Sequence, residues 1–161
     1  MPVAVAQHRE AAISVTLPEV EKQEALWLTR GNQQAMEFLG VWREYVHQID
    51  DLIDGDSKGP EAVLNAFMLA AFVYTQPFFV AHMPALRQIA VNCTNAYADS
   101  VKWEKAEGWR GQFSDHYRHF ASEMVLAVAS ICGGYDHMRK ISPMLREMGW
   151  NEHHDEKGQA V

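Results

Sequence analysis

The apolar residues between Asn32 and Asp54 recur at steps of three and four residues. They are Ala35, Phe38, Leu39, Trp42, Val46, Ile49 and Ile53. This spacing puts them on one face of an α-helix, because an α-helix has about 3.6 residues per turn. Gly55 then supplies a helix stop, since glycine readily adopts the left-handed conformation that ends many helices. The segment therefore predicts a long amphipathic helix whose apolar face needs a partner.

The same helical spacing continues along the chain, and no segment alternates with the two-residue period of a half-buried strand. Further helices are predicted at about Pro18 to Gly31, at Pro60 to Thr75, from Pro84, after Gly108 and, beyond a break at Gly133-Gly134, from Tyr135 to about Met148. We therefore expect an all-α fold, a compact antiparallel bundle of about five helices. The expected single domain covers residues 17–149, with a flexible arm at 1–16 and a polar tail at 150–161.

The helix from Pro60 is apolar on every side from Ala62 to Thr75 except at Asn65. Such a pattern predicts the central and most buried helix of the bundle. Asn65 has two possible roles. It could bind a substrate or cofactor near the end of the preceding helix, or it could satisfy a neighbouring backbone group.

The charge of the chain limits its partners. It has 14 basic and 21 acidic side chains among 161 residues, a formal net charge of −7. An acidic surface repels phosphate backbones, so we expect no direct binding of nucleic acid. The same surface would tolerate a cation or a cationic protein partner.

Three further features predict a cytoplasmic protein without a membrane segment. The most apolar stretch, residues 62–81, contains polar residues and Pro77, whereas a membrane helix needs about 20 consecutive apolar residues. The first residues lack the pattern of a signal peptide. Cys93 and Cys132 lie in apolar helical stretches, which predicts buried free thiols in a reducing compartment.

An acidic cluster marks the end of the helix that begins near Asn32. It consists of Asp50, Asp51, Asp54 and Asp56, and it is preceded by His47. His47, Asp50, Asp51 and Asp54 share one helix face over two turns. Like charges at this spacing repel by a few tenths of a kcal/mol, and carboxylates at a helix C-terminus also meet the negative end of the helix dipole.

Two interpretations of the acidic cluster remain open from the residues alone. A divalent cation would remove both electrostatic costs by taking the carboxylate oxygens as ligands. Asp50, Asp51 and Asp54 are then the candidate metal ligands for Mg²⁺, with Mn²⁺ as a substitute. Alternatively, the cluster is a solvated helix end that Arg43 or Lys58 partly neutralises.

The segment Asp50-Asp51-Leu52-Ile53-Asp54 resembles the first aspartate-rich motif, DDxxD, of trans-prenyltransferases and class I terpenoid synthases. Those enzymes are all-α, and their aspartates hold Mg²⁺ ions that bind and ionise a substrate diphosphate. The resemblance covers about a dozen residues and implies metal roles for Asp50, Asp51 and Asp54.

A second layout is similar to that of the all-α nucleotide pyrophosphatases of the MazG and dimeric dUTPase type. These use ExxE on one helix and ExxD on the next, and here Glu21-Lys22-Gln23-Glu24 precedes Asp51-Leu52-Ile53-Asp54 by 26 residues. The similarity implies that Glu21 and Glu24 face the aspartates across an antiparallel helix pair. They would then complete the metal shell or position a water, and His47 would orient a ligand or bind phosphate.

Much of the chain, including Cys132-Gly133-Gly134-Tyr135 and the helix start at Met83-Pro84, also looks like small helical proteins of tailed bacteriophages. Two hypotheses on function follow. The first is a Mg²⁺-dependent hydrolase or transferase acting on a diphosphate or a nucleotide. The second is a non-enzymatic phage structural or host-interaction protein with an acidic binding surface, which could form a homo-oligomer.

Overall fold

The computed structural model describes residues 19–153, and it describes side chains from residue 23 to residue 147. Within residues 19–153 the chain is helical and contains no strand, which confirms the prediction of an all-α fold. The predicted flexible arm, residues 1–16, lies outside the described residues. The predicted polar tail is described only as far as His153.

Seven α-helices and one 3-10 turn make up the described part of the chain. They are α1 (Glu19–Leu28), α2 (Gln33–Asp54), α3 (Pro60–Thr75), α4 (Pro77–Ala81), α5 (Met83–Trp103), α6 (Trp109–Arg118), the 3-10 turn His119–Ala121 and α7 (Ser122–His153). Helix α7 continues to His153, so it extends beyond the predicted helix end near Met148.

The ends of α2 follow from its sequence. The Asn32 side chain accepts a hydrogen bond from the backbone N–H of Ala35 at 3.0 Å, which satisfies one of the unpaired donors at the helix start. Gly55 has φ of 83°, the left-handed conformation expected at a glycine C-cap. Both predicted boundaries of this helix are confirmed.

The main core lies between the predicted apolar stripes of α2, α5 and α7. Its buried side chains are Ala35, Phe38, Trp42, Val73, Phe78, Phe79, Leu86, Ala90, Cys93, Met124 and Val128. Phe38 is at the centre, because its ring lies 5.9 Å from that of Phe78 and 5.8 Å from that of Phe79. Both phenylalanines belong to α4, which turns the chain from α3 into α5.

Helix α3 is not the central, most buried helix, and this prediction was wrong. Only Ala66 and Val73 of α3 are buried, whereas most of its large apolar side chains are exposed. The reason is its position, since α3 packs against α2 and α4 at the edge of the fold. Apolar content alone does not show how many neighbours a helix has.

A second, smaller core joins α1 to the two halves of α7. It contains Leu126, Ala129 and Ile141, with Leu28 packed against it. The predicted helix break at Gly133-Gly134 is confirmed as a kink, because Gly134 has φ of 80° and ψ of −179° inside α7. No helix among the described residues is long and apolar enough to span a membrane.

Candidate functional site

The end of α2 brings the acidic cluster against α5. The Tyr97 hydroxyl of α5 donates a hydrogen bond of 2.5 Å to Oδ1 of Asp50. Burial, and then the hydrogen bond and charge of Asp50, raise the pKa of Tyr97 above its usual range. One carboxylate oxygen of Asp50 therefore accepts a hydrogen bond from the uncharged phenol of Tyr97.

Asp54 meets a cation from the end of α6. The Arg118 guanidinium lies 3.3 Å and 3.4 Å from the two carboxylate oxygens of Asp54, and it also lies 3.4 Å from Glu104. Partial burial works to lower the pKa of Arg118. The hydrogen bond to Asp54 and the charges of Asp54, Glu104 and Asp50 outweigh that effect, so the pKa is raised. Arg118 thus stabilises the negative charge at the end of α2.

The other members of the predicted site point into solvent. Asp51, Asp56 and His47 are exposed. Among the described residues, no three side chains of histidine, cysteine, aspartate or glutamate are grouped so that they could hold a metal ion. The three candidate ligands Asp50, Asp51 and Asp54 therefore do not converge, and the residues present do not fit a Mg²⁺ site of the predicted kind.

Helix α1 does not bring Glu21 and Glu24 opposite the acidic cluster. At about 1.5 Å per residue, α1 is about 15 Å long and α2 is about 33 Å long. The turn between them lies at the start of α2, whereas the acidic cluster lies at its far end. In addition, α1 packs against α7. Glu24 is exposed, and the side chain of Glu21 lies outside the described side chains.

Asn65 contacts α2 through a side chain. Its amide donates a hydrogen bond of 2.7 Å to Oε1 of Gln48, which precedes Asp50 by two residues. Gln48 Nε2 is buried and has no hydrogen-bond partner. Asn65 therefore links the exposed side of α3 to α2, and it reaches neither an aspartate nor a backbone group.

A small cavity lies beside the Tyr97–Asp50 pair. Its volume is about 70 Å³, and its walls are mostly apolar side chains of α2 and α5. Cys93 lines it, and the Cys93 thiol donates to the carbonyl of Phe120 at 3.2 Å. Burial, and next the charge of Glu123, raise the pKa of Cys93 to about 11. Cys93 and Cys132 are both free, as predicted, although Cys132 is only partly buried.

The feature that sequence reasoning missed is an exposed apolar surface on α3, which we call the α3 face. It consists of Val63, Leu64, Phe67, Met68, Ala71 and Tyr74. The exposed fractions are 57% for Val63, 62% for Leu64 and 72% for Phe67. Leu64, Phe67, Ala71 and Tyr74 follow each other at steps of three, four and three residues. These steps place the four residues along one side of the helix.

Soluble monomers rarely expose a contiguous apolar patch above a few hundred Å² unless it is an interaction site. No family model, curated protein or solved structure matches this chain.

Proposed function

We propose that the chain is a non-enzymatic structural protein that self-associates through the α3 face. The observation that carries this proposal is the exposure of Leu64 and Phe67 in the part of α3 that follows Glu61 and contains no charged residue. Burial of such side chains is favourable by about 1.5–3 kcal/mol each, and in a single copy that free energy is not gained. The proposal shares its non-enzymatic role with the second of the two hypotheses from the sequence, but its binding surface is the apolar α3 face and not an acidic one.

The spacing of the α3 face favours another helix as its occupant. Steps of three and four residues keep one stripe of a helix facing a partner helix along several turns. Leu64 and Phe67 form one turn of this stripe, and Ala71 and Tyr74 form another. The small Ala71 between larger neighbours gives a partner side chain room to insert.

The charge distribution favours a second copy of this chain as the occupant. No charged residue occurs from Ala62 to Ala81, although the whole chain has a net charge of −7. At a two-fold axis the same patch meets itself, so any charge there would face a like charge. A neutral patch avoids this repulsion, and it would give a partner of opposite charge no advantage.

The exposed area is of the size that an association needs. The five large side chains of the α3 face supply an apolar patch on the order of 500 Å². Val80 of α4 and Met83 at the start of α5 are further exposed apolar side chains. A standard interface buries about 800 Å² per partner, so the α3 face would supply the larger part of one.

The enzyme hypothesis receives less support from the acidic cluster. Asp50 and Asp54, its two more inward carboxylates, accept hydrogen bonds from Tyr97 and Arg118. A metal at Asp54 would have to displace the Arg118 guanidinium, which contacts both carboxylate oxygens, and a metal at Asp50 would share the carboxylate with Tyr97. We therefore derive no reaction from Mg²⁺ at this position.

Sedimentation velocity over a range of protein concentrations tests the proposal. We expect a concentration-dependent shift from one copy to two. Phe67→Lys and Leu64→Lys should each weaken association by roughly 100-fold, because an ammonium group buried without a partner is costly.

Tyr135→Lys is the matched control, since Tyr135 is an exposed aromatic residue of α7, a helix that does not pack against α3. This variant should associate like the wild type. Circular dichroism establishes that all three variants are folded. A wild-type protein that stays monomeric at hundreds of micromolar would overturn the proposal, and so would equal weakening by Tyr135→Lys.

A further inference from the structure

A cleft with two cationic side chains lies between the end of α1 and the second half of α7. It has a volume of about 460 Å³ and is lined by Leu26, Trp27, Arg30, His137 and Lys140. It is separate from the acidic cluster, which is at the opposite end of α2. The chain has a net charge of −7, so the positive charge of this cleft is opposite in sign to that of the whole chain.

Within the described part of the molecule, no carboxylate neutralises the two cations of the cleft, Arg30 and Lys140. Neither Arg30 nor Lys140 forms an ion pair or a side-chain hydrogen bond with another residue whose side chain is described. By contrast, Arg118 and Arg146 are both paired with carboxylates. The cleft therefore has positive charge available for a ligand.

The backbone at Arg30 is held in an unusual conformation. Among the described residues, Arg30 is the only residue other than glycine with a positive φ, at 51°. This left-handed conformation is unfavourable for a side chain with a Cβ, and such residues concentrate at binding sites. A glycine would adopt it more readily, yet the chain has an arginine here.

Gly133 gives the Arg30 side chain its space. A Cβ atom at Gly133 would stand 2.7 Å from Cδ of Arg30 and 2.3 Å from the imidazole of His137. Neither distance is compatible with normal packing. The absence of a side chain at residue 133 therefore lets α7 approach the Arg30 stem closely and fixes one wall of the cleft.

The rings of Trp27 and His137 contact each other and line the cleft. His137 Nε2 donates to the carbonyl oxygen of Leu28 at 3.0 Å, since a carbonyl can only accept. Its ring meets the edge of Trp27 at a centroid distance of 5.7 Å. Trp27 and Leu26 are each 45% exposed, so an apolar surface remains beside the two cations.

We propose that this cleft binds a small organic anion that carries a planar ring. The anionic oxygens would accept hydrogen bonds from Arg30 and Lys140, and the ring would pack against Trp27. Guanidinium groups suit carboxylate and phosphate oxygens alike, so the shared chemistry is an anionic oxygen group next to an aromatic or other flat body. The inference does not depend on self-association through the α3 face.

Isothermal titration calorimetry with phenyl phosphate and benzoate tests this inference on the full chain. Phenyl phosphate should bind with a millimolar or lower dissociation constant, and inorganic phosphate should bind more weakly because it lacks the ring. Benzoate distinguishes a carboxylate site from a phosphate site. No detectable binding of either aromatic anion at millimolar concentration would overturn the proposal.

Two variants connect binding to the cleft. Arg30→Gly removes the guanidinium and keeps a residue that tolerates φ of 51°, so the fold should be retained. Lys140→Ala removes the second cation from an exposed helix position. Each should weaken binding by about 10-fold, the value of one charge-assisted hydrogen bond.

Arg139→Ala is the matched control, because Arg139 is the exposed neighbour of Lys140 and does not line the cleft. It makes the same change in net charge and should alter the dissociation constant by less than about twofold. Equal weakening by Arg139→Ala and Lys140→Ala would indicate general electrostatic attraction and would overturn the assigned site. Equal affinity for inorganic phosphate and phenyl phosphate would overturn the role of Trp27.

Discussion

Two aspartates of the acidic cluster are bound by side chains from other helices, since Tyr97 donates to Asp50 and Arg118 is paired with Asp54. These partners are 47 and 64 residues away in sequence from the aspartates that they contact. The spacing of the aspartates therefore predicts their mutual repulsion, but it indicates neither partner. The predicted neutralising groups were the nearby Arg43 or Lys58, or a metal ion, whereas the ion pair with Asp54 is formed by the guanidinium from the end of α6.

Removing Arg118 should destabilise the fold. Arg118→Met leaves Asp54 and Glu104 without their shared cation, and we expect a loss of about 1 kcal/mol in the free energy of unfolding by urea, since the group is partly exposed. Arg146→Met is the control, because the Arg146–Glu123 pair is isolated and its arginine is more exposed. Its effect should stay below about 0.5 kcal/mol, and equal losses would contradict the stabilising role of Arg118 at the acidic cluster.

Tyr97 should make stability fall at alkaline pH. The unfolded phenol loses its proton near pH 10, whereas the folded phenol keeps it to a higher pH because its pKa is raised by burial and by Asp50. The native state then binds more protons than the unfolded state, so the free energy of unfolding decreases as pH rises above about 10.

Urea unfolding of the wild type and Tyr97→Phe between pH 8 and pH 11 measures this effect. The variant should show the weaker decrease above pH 10. Tyr45, whose pKa is also raised by burial, is present in both proteins and cancels in the comparison. Parallel pH profiles would contradict the assigned pKa of Tyr97.

At the scale of single helices, the apolar period and the capping residues predicted the bounds of a helix that packs on one side. Helix α2 begins after Asn32 and ends before Gly55 as predicted, and three of its four buried residues, Ala35, Phe38 and Trp42, belong to the predicted stripe. The fourth is Gly40, and Ile53 of the stripe is exposed. The prediction was wrong for α3, because a helix that is apolar on all sides has no stripe that separates core from interface. Its sequence from Ala62 to Thr75, which has no charged residue, fits either position, and only the arrangement of α2 and α4 decides between them.

Substitution by alanine should change the free energy of unfolding in opposite directions at two glycines, Gly134 and Gly40. Gly134→Ala puts a Cβ on a residue with φ of 80° at the kink of α7, and it should destabilise the protein by about 1–2 kcal/mol. Gly40→Ala is in the helical interior of α2, where a Cβ meets no atom within 4 Å, and it should stabilise by about 0.5–1 kcal/mol. Thermal unfolding of both variants checks this prediction. Stabilisation by Gly134→Ala would mean that the kink is not part of the folded state.

At the scale of the whole molecule, the response of the melting temperature to a divalent cation distinguishes a metal enzyme from a structural protein. Because Asp50 and Asp54 are bound by Tyr97 and Arg118, millimolar Mg²⁺ or Mn²⁺ should leave the melting temperature unchanged within about 1 °C. Asp50→Asn with Asp54→Asn should not alter this insensitivity. A rise of several degrees that the double variant abolishes would restore the predicted metal site.

Hydrogen exchange at low and high protein concentration is the most direct test of self-association through the α3 face, because it identifies the residues that association covers. We expect amide protection to rise with concentration in residues 60–75 and to stay constant in α6 and α7. Protection that does not change in residues 60–75, or that rises in another helix instead, would contradict self-association through the α3 face.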